Sequence, residues 1–298
     1  MIELKSFSEH LDNEFTRLLE GFAALEIRER TARSNTEKQY FASKQNSDWL
    51  NKNGLHQGDK AHDNMLFRSL SDGDYVCYAT RSRSGEQIRD DMVVYLNKQN
   101  QWILAEAYEL FKDFIDAVYA VGEELQPGLW KPCQLSRIAN PSLSKPTFQS
   151  LLDAASDANA TGDCSTKLNR FRLTFPTLRL AELASPLASD PKLMIVLIEL
   201  LRHVIVHNGG RVKSKDSFIS RLQRKTGTLN NGVPSQSLVA DVESYLGERD
   251  GLTHVVLLDG RPSDLPFGYT SRIGQLTNIL LAYAGFIHTE LLLPLTAK

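Results

Sequence analysis

The chain has 298 residues, of which 42% are hydrophobic and 23% are charged, and its formal net charge is −2. This length suits one large domain or two smaller ones, and the composition is ordinary for a soluble globular protein. A net charge this close to zero excludes a polycationic protein. Any surface for nucleic acid must therefore be a local patch.

The cysteines, the N-terminus and the most apolar segment indicate the setting of the chain. Three cysteines lie far apart, at Cys77, Cys133 and Cys164. They form no Cys-x-x-Cys pair, which favours a reducing, cytoplasmic setting without a disulfide framework or a zinc site.

Residues 1–10 have no apolar run after positive charge, so we predict no signal peptide. The apolar stretch 276–295 contains Asn278, His288 and Glu290 and is predicted to be a buried C-terminal helix, not a membrane span.

Helices dominate the first half of the predicted secondary structure. Apolar residues at helical spacing predict a helix over 7–30, and the polar stretch 31–60 is predicted to include a loop. Residues 74–80 favour a short strand. A long amphipathic helix is predicted from about residue 86 to 122–127. Four prolines then predict an irregular segment over 127–146.

The second half is also predicted to be mostly helical. Three shorter helices are predicted over 147–157, 167–184 and 215–224. Pro176 should interrupt the second of them. A hairpin near the C-terminus is predicted from a strand over 253–258, a turn at Asp259-Gly260 and a return over 261–266. The predicted fold class is therefore mainly α, a helical bundle with a small β-hairpin before the C-terminal helix.

One predicted helix has unusually clear start and stop signals. Asp190 is suited to cap its N-terminus, and Pro191 occupies a first-turn position. Residues 193–206 are nearly all apolar, which predicts a buried helix. Gly209 or Gly210 is expected to supply the left-handed residue that ends it.

Three polar side chains, Arg202, His203 and His207, interrupt the end of this apolar helix. Arginine holds phosphate oxygens in a rigid fork, and histidine can move a proton near neutral pH. Cleavage of RNA by its own 2′-hydroxyl needs a base, an acid and positive charge on the phosphorane. In that chemistry His207 would transfer a proton and Arg202 would hold nonbridging oxygens. His203 would orient either residue or bind the phosphate.

Structural interpretations of the same residues remain open. Arg202 can pair with Glu199 one turn earlier, and the helix dipole favours His207 at a C-terminus whether or not it is catalytic. Glu199, His203 and His207 also share one helix face, as zinc ligands do. The glutamate is not placed as in His-Glu-x-x-His, and no third ligand group is evident nearby. We therefore predict no metal and no cofactor.

The pattern Arg202-His203-x-x-x-His207 resembles the signature of the HEPN superfamily, in which an Arg precedes a His by four to six residues. A preceding amphipathic helix and the helix end at Asn208 are also similar to that family. The resemblance covers roughly 86–298 and implies a helical domain there, after an N-terminal region 1–85 of unassigned role. It implies a metal-independent endoribonuclease, in phage defence, toxin–antitoxin pairs or RNA processing.

The same resemblance implies particular partners. HEPN motif helices face each other across a dimer, so a homodimer is expected. A shared cleft would also bring together Arg202 and His207, which lie about 140° apart on an ideal helix. An antitoxin or regulatory protein is a further expected partner. The alternative function is an inactive dimer that binds RNA, nucleotides or a protein without cleaving, and a third is the neutralised or regulatory half of a toxin pair.

Basic residues follow the motif closely. Residues 202–225 include seven Lys or Arg and a single acid, Asp216, which leaves six net positive charges with histidine neutral. Such a patch would collect the phosphate backbone of RNA. The predicted substrate-binding residues are Asn208, Arg211, Lys213 and Lys215. A second basic cluster precedes the motif helix, at Lys167, Arg170, Arg172 and Arg179, and the alternative for both clusters is a solvated surface.

Overall fold

A computed structural model of the chain describes residues 2–55, 60–125, 129–130, 147–157, 161–184, 190–227, 236–258 and 272–296. Within these ranges the chain forms nine helices and two small antiparallel hairpins, so the fold is mainly α as predicted. Among the described helices, none is long and apolar enough to cross a membrane.

The elements follow one another in a simple order. The helices are α1 (Ile2–Lys52), α2 (Gly85–Leu125), α3 (Phe148–Ser156), α4 (Cys164–Thr174), α5 (Pro176–Leu183), α6 (Pro191–Asn208), α7 (Lys215–Thr226), α8 (Gln236–Ser244) and α9 (Arg272–Thr296). The strands are β1 (Lys60–Arg68), β2 (Tyr75–Ser84), β3 (Leu246–Arg249) and β4 (Leu252–Val255).

The chain divides into two compact units. The first is taken from Met1–Glu26, Gln101–Leu257 and Thr270–Lys298, and the second from Ile27–Asn100 and Leu258–Tyr269. Each unit includes part of α1 and part of α2. The predicted division at residues 85 and 86 coincides with the start of α2, and a separate role for residues 1–85 stays a prediction.

The core of the first unit is built around α2 and α6. Ten residues of α6 are buried, among them Ile198 and Leu201 with no exposed surface. From α2, Phe111 and Ile115 are equally buried. α6 packs against α7 and α9. Burial of apolar side chains on this scale is the main stabilising contribution to the unit.

The helices predicted from caps and breakers are confirmed. The Asp190 side chain accepts the N–H of Lys192 at 2.9 Å, and Pro191 is the first residue of α6. Pro176 separates two helices, because it begins α5 after Phe175 ends α4. The irregular segment predicted over 127–146 lies outside the described residues except for 129–130.

The polar stretch 31–60, predicted to include a loop, is helical over most of its length, because α1 runs unbroken to Lys52 and a turn follows at 53–54. No Pro or Gly occurs between Thr31 and Asn53. Side chains one turn apart also support the helix: Arg33 Nε donates to Glu29 at 2.9 Å. A polar composition without a helix breaker is therefore compatible with a long helix, even where the apolar periodicity fades.

The strand predicted over 74–80 is confirmed and is longer, since β2 pairs with β1 across Ser84↔Lys60 to Tyr75↔Arg68. The strand predicted over 253–258 corresponds to β4. Its described partner is β3, which precedes it, through a turn at Asp250 and Gly251 with φ of 54° and 73°. Asp-Gly at these positions suits a two-residue hairpin turn with both φ values positive. The turn and return strand predicted over 259–266 lie outside the described residues.

Candidate active site at the end of α6

The motif residues lie where α6 emerges from the core. Val204 and Ile205 are buried, whereas Arg202 and His203 are partly buried and His207 is exposed. Asn208, the last residue of the helix, is partly buried. The apolar sequence before the motif therefore holds the helix in the core and leaves the polar side chains at its rim.

Two glycines end the helix and redirect the chain. Gly209 adopts φ 59° and ψ 30°, the left-handed conformation that favours glycine. After it, Gly210 O accepts the N–H of Val255, and Val212 N–H donates to Thr253 O, each at 2.9 Å. This short segment runs beside β4, so hydrogen bonds to the hairpin fix the direction of the chain leaving the motif.

Gly210 is needed for a close contact with α2. A Cβ at this position would lie 2.5 Å from Oε1 of Gln101, which is a clash. Gln101 is buried, and its Nε2 donates to the carbonyl of Val255 at 2.7 Å. The end of the motif helix, the start of the α2 core segment and β4 are therefore packed together at one point.

The two histidines form a pair. Their ring centroids are 4.6 Å apart with an angle of 50° between the ring planes, as expected for residues one turn apart on a helix. The pKa of His203 lies below its ordinary value. Burial is the largest cause, and neighbouring groups add to it: His207, Arg221, Arg202 and Lys225. His203 is therefore neutral near pH 7 and is able to accept a proton.

Arg202 points to another helix. Its Nη2 forms an ion pair with Oε1 of Glu109 on α2, where the Arg202 side chain is 27% exposed and that of Glu109 is 42% exposed. The pairing of Arg202 with Glu199, considered from sequence, is not the arrangement observed. Glu109 is the partner of Arg202 that sequence reasoning missed, because nothing in the local pattern of α2 relates it to a residue so distant in the chain.

Glu199 belongs to a separate polar cluster behind the histidines. Lys225 Nζ lies 2.5 Å from carboxylate oxygens of both Glu199 and Asp163, and the Tyr108 hydroxyl donates to Glu199 at 3.1 Å. Burial alone would lower the pKa of Lys225, but these hydrogen bonds outweigh it and raise the pKa. Glu199 is thus engaged by a cation, and among the described residues no group of three His, Cys, Asp or Glu is placed to hold a metal ion.

The basic residues after the motif fall into two groups. Lys215 pairs with Glu243 at 2.5 Å, and Lys225 is held as described above. Arg211, Lys213 and Arg221 make no ion pair within the described part of the chain, and the first two are exposed. Arg221 lies further along the chain, on α7. Because α7 packs against α6, its charge is close enough to lower the pKa of His203.

The second basic cluster is not a continuous surface. Lys167 is only 1% exposed and is bound to the fully buried Asp116, so it cannot contact a phosphate backbone. Arg172 donates through Nε to Glu182 at 2.7 Å and through Nη2 to the Tyr283 hydroxyl at 3.0 Å. Lys167 and Arg172 are therefore held by carboxylates of the protein, and these two residues do not form a continuous basic surface.

The arrangement combines groups suited to phosphate chemistry. At the end of α6 the imidazoles of His203 and His207 are in contact, and that of His203 is neutral near pH 7. Arg211, Lys213 and Arg221, which make no ion pair within the described part of the chain, follow the helix. His254 is a further residue at this rim, since it forms a backbone bridge with Arg211. Within a single chain the histidines are brought together, whereas Arg202 is turned towards α2.

Comparison with protein-family models, with curated proteins and with solved structures found no match.

The lowered pKa of His203 has a measurable consequence. We expect its ring protons to titrate in an NMR experiment with a midpoint below 6.5, with the signals assigned by their loss in His203→Gln. As pH falls below about 6.5, the unfolded chain takes up a proton on His203 before the folded chain does, so the free energy of unfolding decreases. In His203→Gln this free energy should decrease less over the same pH range. A midpoint at or above 6.5 would contradict the electrostatic account.

Proposed function

We propose that the chain is a metal-independent endoribonuclease of the HEPN type, acting in the cytoplasm. The observation that carries the proposal is the contact between His203 and His207 at the end of α6, beside Arg202 and exposed cations. Phage defence and toxin–antitoxin systems are the settings in which such enzymes act. An antitoxin or regulatory protein is the corresponding partner.

The proposed reaction uses each group in one role. His203, neutral near pH 7, removes the proton from a ribose 2′-hydroxyl, whose oxygen then attacks the adjacent phosphorus. The bond from phosphorus to the 5′-oxygen breaks, and His207 supplies the proton that this leaving oxygen needs. Arg202 stabilises the charge on the nonbridging oxygens of the phosphorane. The products are a 2′,3′-cyclic phosphate and a 5′-hydroxyl.

A second candidate function is an inactive HEPN-like module that binds RNA, a nucleotide or a protein. The observation that favours it is the ion pair between Arg202 and Glu109, since a carboxylate partner offsets the charge that would stabilise the phosphorane. The two functions differ in one result: the module binds RNA without cleaving it.

A homodimer is part of the proposed function. Val206 and His207 are exposed although most of α6 is buried, so a second chain has an accessible helix surface to contact. A two-fold contact between α6 helices would surround one cleft with two copies of Arg202, His203 and His207. This would overcome the separation of about 140° between Arg202 and His207 on one helix.

The first test is cleavage of single-stranded RNA in the presence of EDTA. We expect the wild-type chain to cut, and His207→Ala and Arg202→Ala each to lower the rate about 10²- to 10⁴-fold, the scale of lost acid–base or charge stabilisation. Gel analysis should identify cyclic phosphate ends. Binding without cleavage would favour the inactive module, and activity that survives both changes would refute the assignment.

The dimer is tested by mass and by complementation. Light scattering at micromolar concentration should give the mass of two 33.5 kDa chains. Mixing Arg202→Ala with His207→Ala should restore part of the activity, because a mixed dimer retains one intact copy of each group. A monomer, or a mixture as inactive as its components, would contradict a shared cleft.

The basic residues are tested by the salt dependence of RNA binding, measured in a His207→Ala background to prevent cleavage. Arg211→Ala and Lys213→Ala should each weaken binding to unrelated RNAs and reduce the log–log salt slope by about 0.7, the value for one phosphate contact on a single strand. Lys215→Ala is the matched control: its cation is already paired with Glu243, so its effect should be smaller. Equal slopes for all variants would assign the patch to solvated surface.

A further inference from the structure

We propose that Glu109 is a positioning residue, which holds the Nε–Nη2 edge of the Arg202 guanidinium so that the Nη1 side is presented to phosphate. This inference rests on the proposed function, since it assigns a role in the same reaction. The contact between Glu109 and Arg202 Nη2 is its starting observation.

Both residues stand on rigid parts of the core. On α2, Glu109 follows Tyr108, which is 4% exposed, and lies two residues before Phe111, which is fully buried. Arg202 follows Leu201, which has no exposed surface. The two backbones are therefore held in place by packing, and the relative position of the carboxylate and the guanidinium is set by the fold. Precise placement of a functional group requires this kind of support.

Two atoms at this contact lack hydrogen bonds. Nε of Arg202 is buried and has no hydrogen-bond partner among the described residues, and Oε1 of Glu109, also buried, pairs with Nη2 without meeting hydrogen-bond geometry. Buried polar atoms without hydrogen-bond partners are rare in folded proteins. A small rotation of the carboxylate would satisfy both atoms through the two-point fork that arginine and carboxylate prefer. Since Nε is closed to solvent, this edge of the guanidinium belongs to Glu109 and not to a ligand.

The remaining donors define how phosphate would bind. A guanidinium has five N–H donors in one plane, and a two-point contact with Glu109 uses one on Nε and one on Nη2. Nη1 keeps both of its donors, so the free edge of the plane is the one that Glu109 does not cover. Both side chains are more than a quarter exposed, and such an ion pair is weak enough for Arg202 to accept a second anion.

The charge and the orientation supplied by Glu109 act in opposite directions. Its negative charge opposes phosphate binding, whereas its hold on Arg202 places the donors where charge develops in the transition state. Removing the carboxylate should therefore leave KM unchanged or lower it and reduce kcat. A residue that served only to keep the protein folded would not separate the two constants in this way.

The test is a double-mutant cycle on RNA cleavage, with Asp113→Asn as the matched control. Asp113 lies one turn further along α2, is exposed, and contacts Lys112 at 3.8 Å. We expect Glu109→Gln to lower kcat about 10- to 100-fold, the scale for a misplaced catalytic group, and Asp113→Asn to leave it within about twofold. In an Arg202→Ala background, Glu109→Gln should cause no further loss.

The kcat values of these variants decide whether Glu109 positions Arg202. A Glu109→Gln enzyme with the wild-type kcat overturns the proposal, and so does an equal loss in the Arg202→Ala background, which would mean that Glu109 acts without Arg202. Glu109→Asp keeps the charge but shortens the reach, so an intermediate kcat is expected and supports positioning, even if Glu109→Gln folds poorly. If the wild-type chain does not cleave RNA, the proposed endoribonuclease function is refuted. If the wild-type chain and Glu109→Gln cleave RNA equally well, only the positioning role of Glu109 is refuted.

Discussion

The burial of α6 is the constraint on which the candidate site depends. Its residues from Met194 to Leu201 are almost all inside the core, and the one polar side chain among them, Glu199, is held by Lys225 and the Tyr108 hydroxyl. Only the last two turns reach the rim. The left-handed Gly209 and the pairing of 210–212 with β4 then keep those turns from fraying. Arg202, His203 and His207 are consequently grouped at one end of the helix by the packing of residues that have no chemical role.

Charge compensation elsewhere in the core determines which cations remain at this end. Asp116 is fully buried and is bound to Lys167, and Lys225 joins Glu199 to Asp163. Removing one partner of the buried Asp116–Lys167 pair typically costs about 3–5 kcal/mol, because a charge is then left uncompensated. Lys225 and Asp163 are partly exposed, so their pairing contributes less. Among the positive groups that lower the pKa of His203, Arg202 and Lys225 are already paired with carboxylates, whereas Arg221 has no carboxylate partner among the described residues.

Local signals in the sequence predicted the helices well and the tertiary partners poorly. Asp190, Pro191 and Gly209 act on their own backbone, so their caps were readable without knowledge of the fold. The continuation of α1 beyond Thr31 was missed because exposed helix carries little apolar periodicity. The partner of Arg202 was missed for another reason: the contact with Glu109 depends on how α2 crosses α6, which no local pattern encodes. Likewise, the sequence alone suggests that Lys167 is a surface cation, whereas the structure shows it buried against Asp116.

The protonation of His203 links the electrostatics of the site to the chemistry proposed for it. Burial and the neighbouring positive groups disfavour its charged form, which keeps the imidazole available as a base. An anion bound among Arg202, Arg221 and Lys225 would offset that repulsion and so favour the imidazolium. In the reaction proposed above, these cations would keep His203 free of its proton before phosphate binds, and the bound phosphate would then allow His203 to hold the proton that it takes from the 2′-hydroxyl.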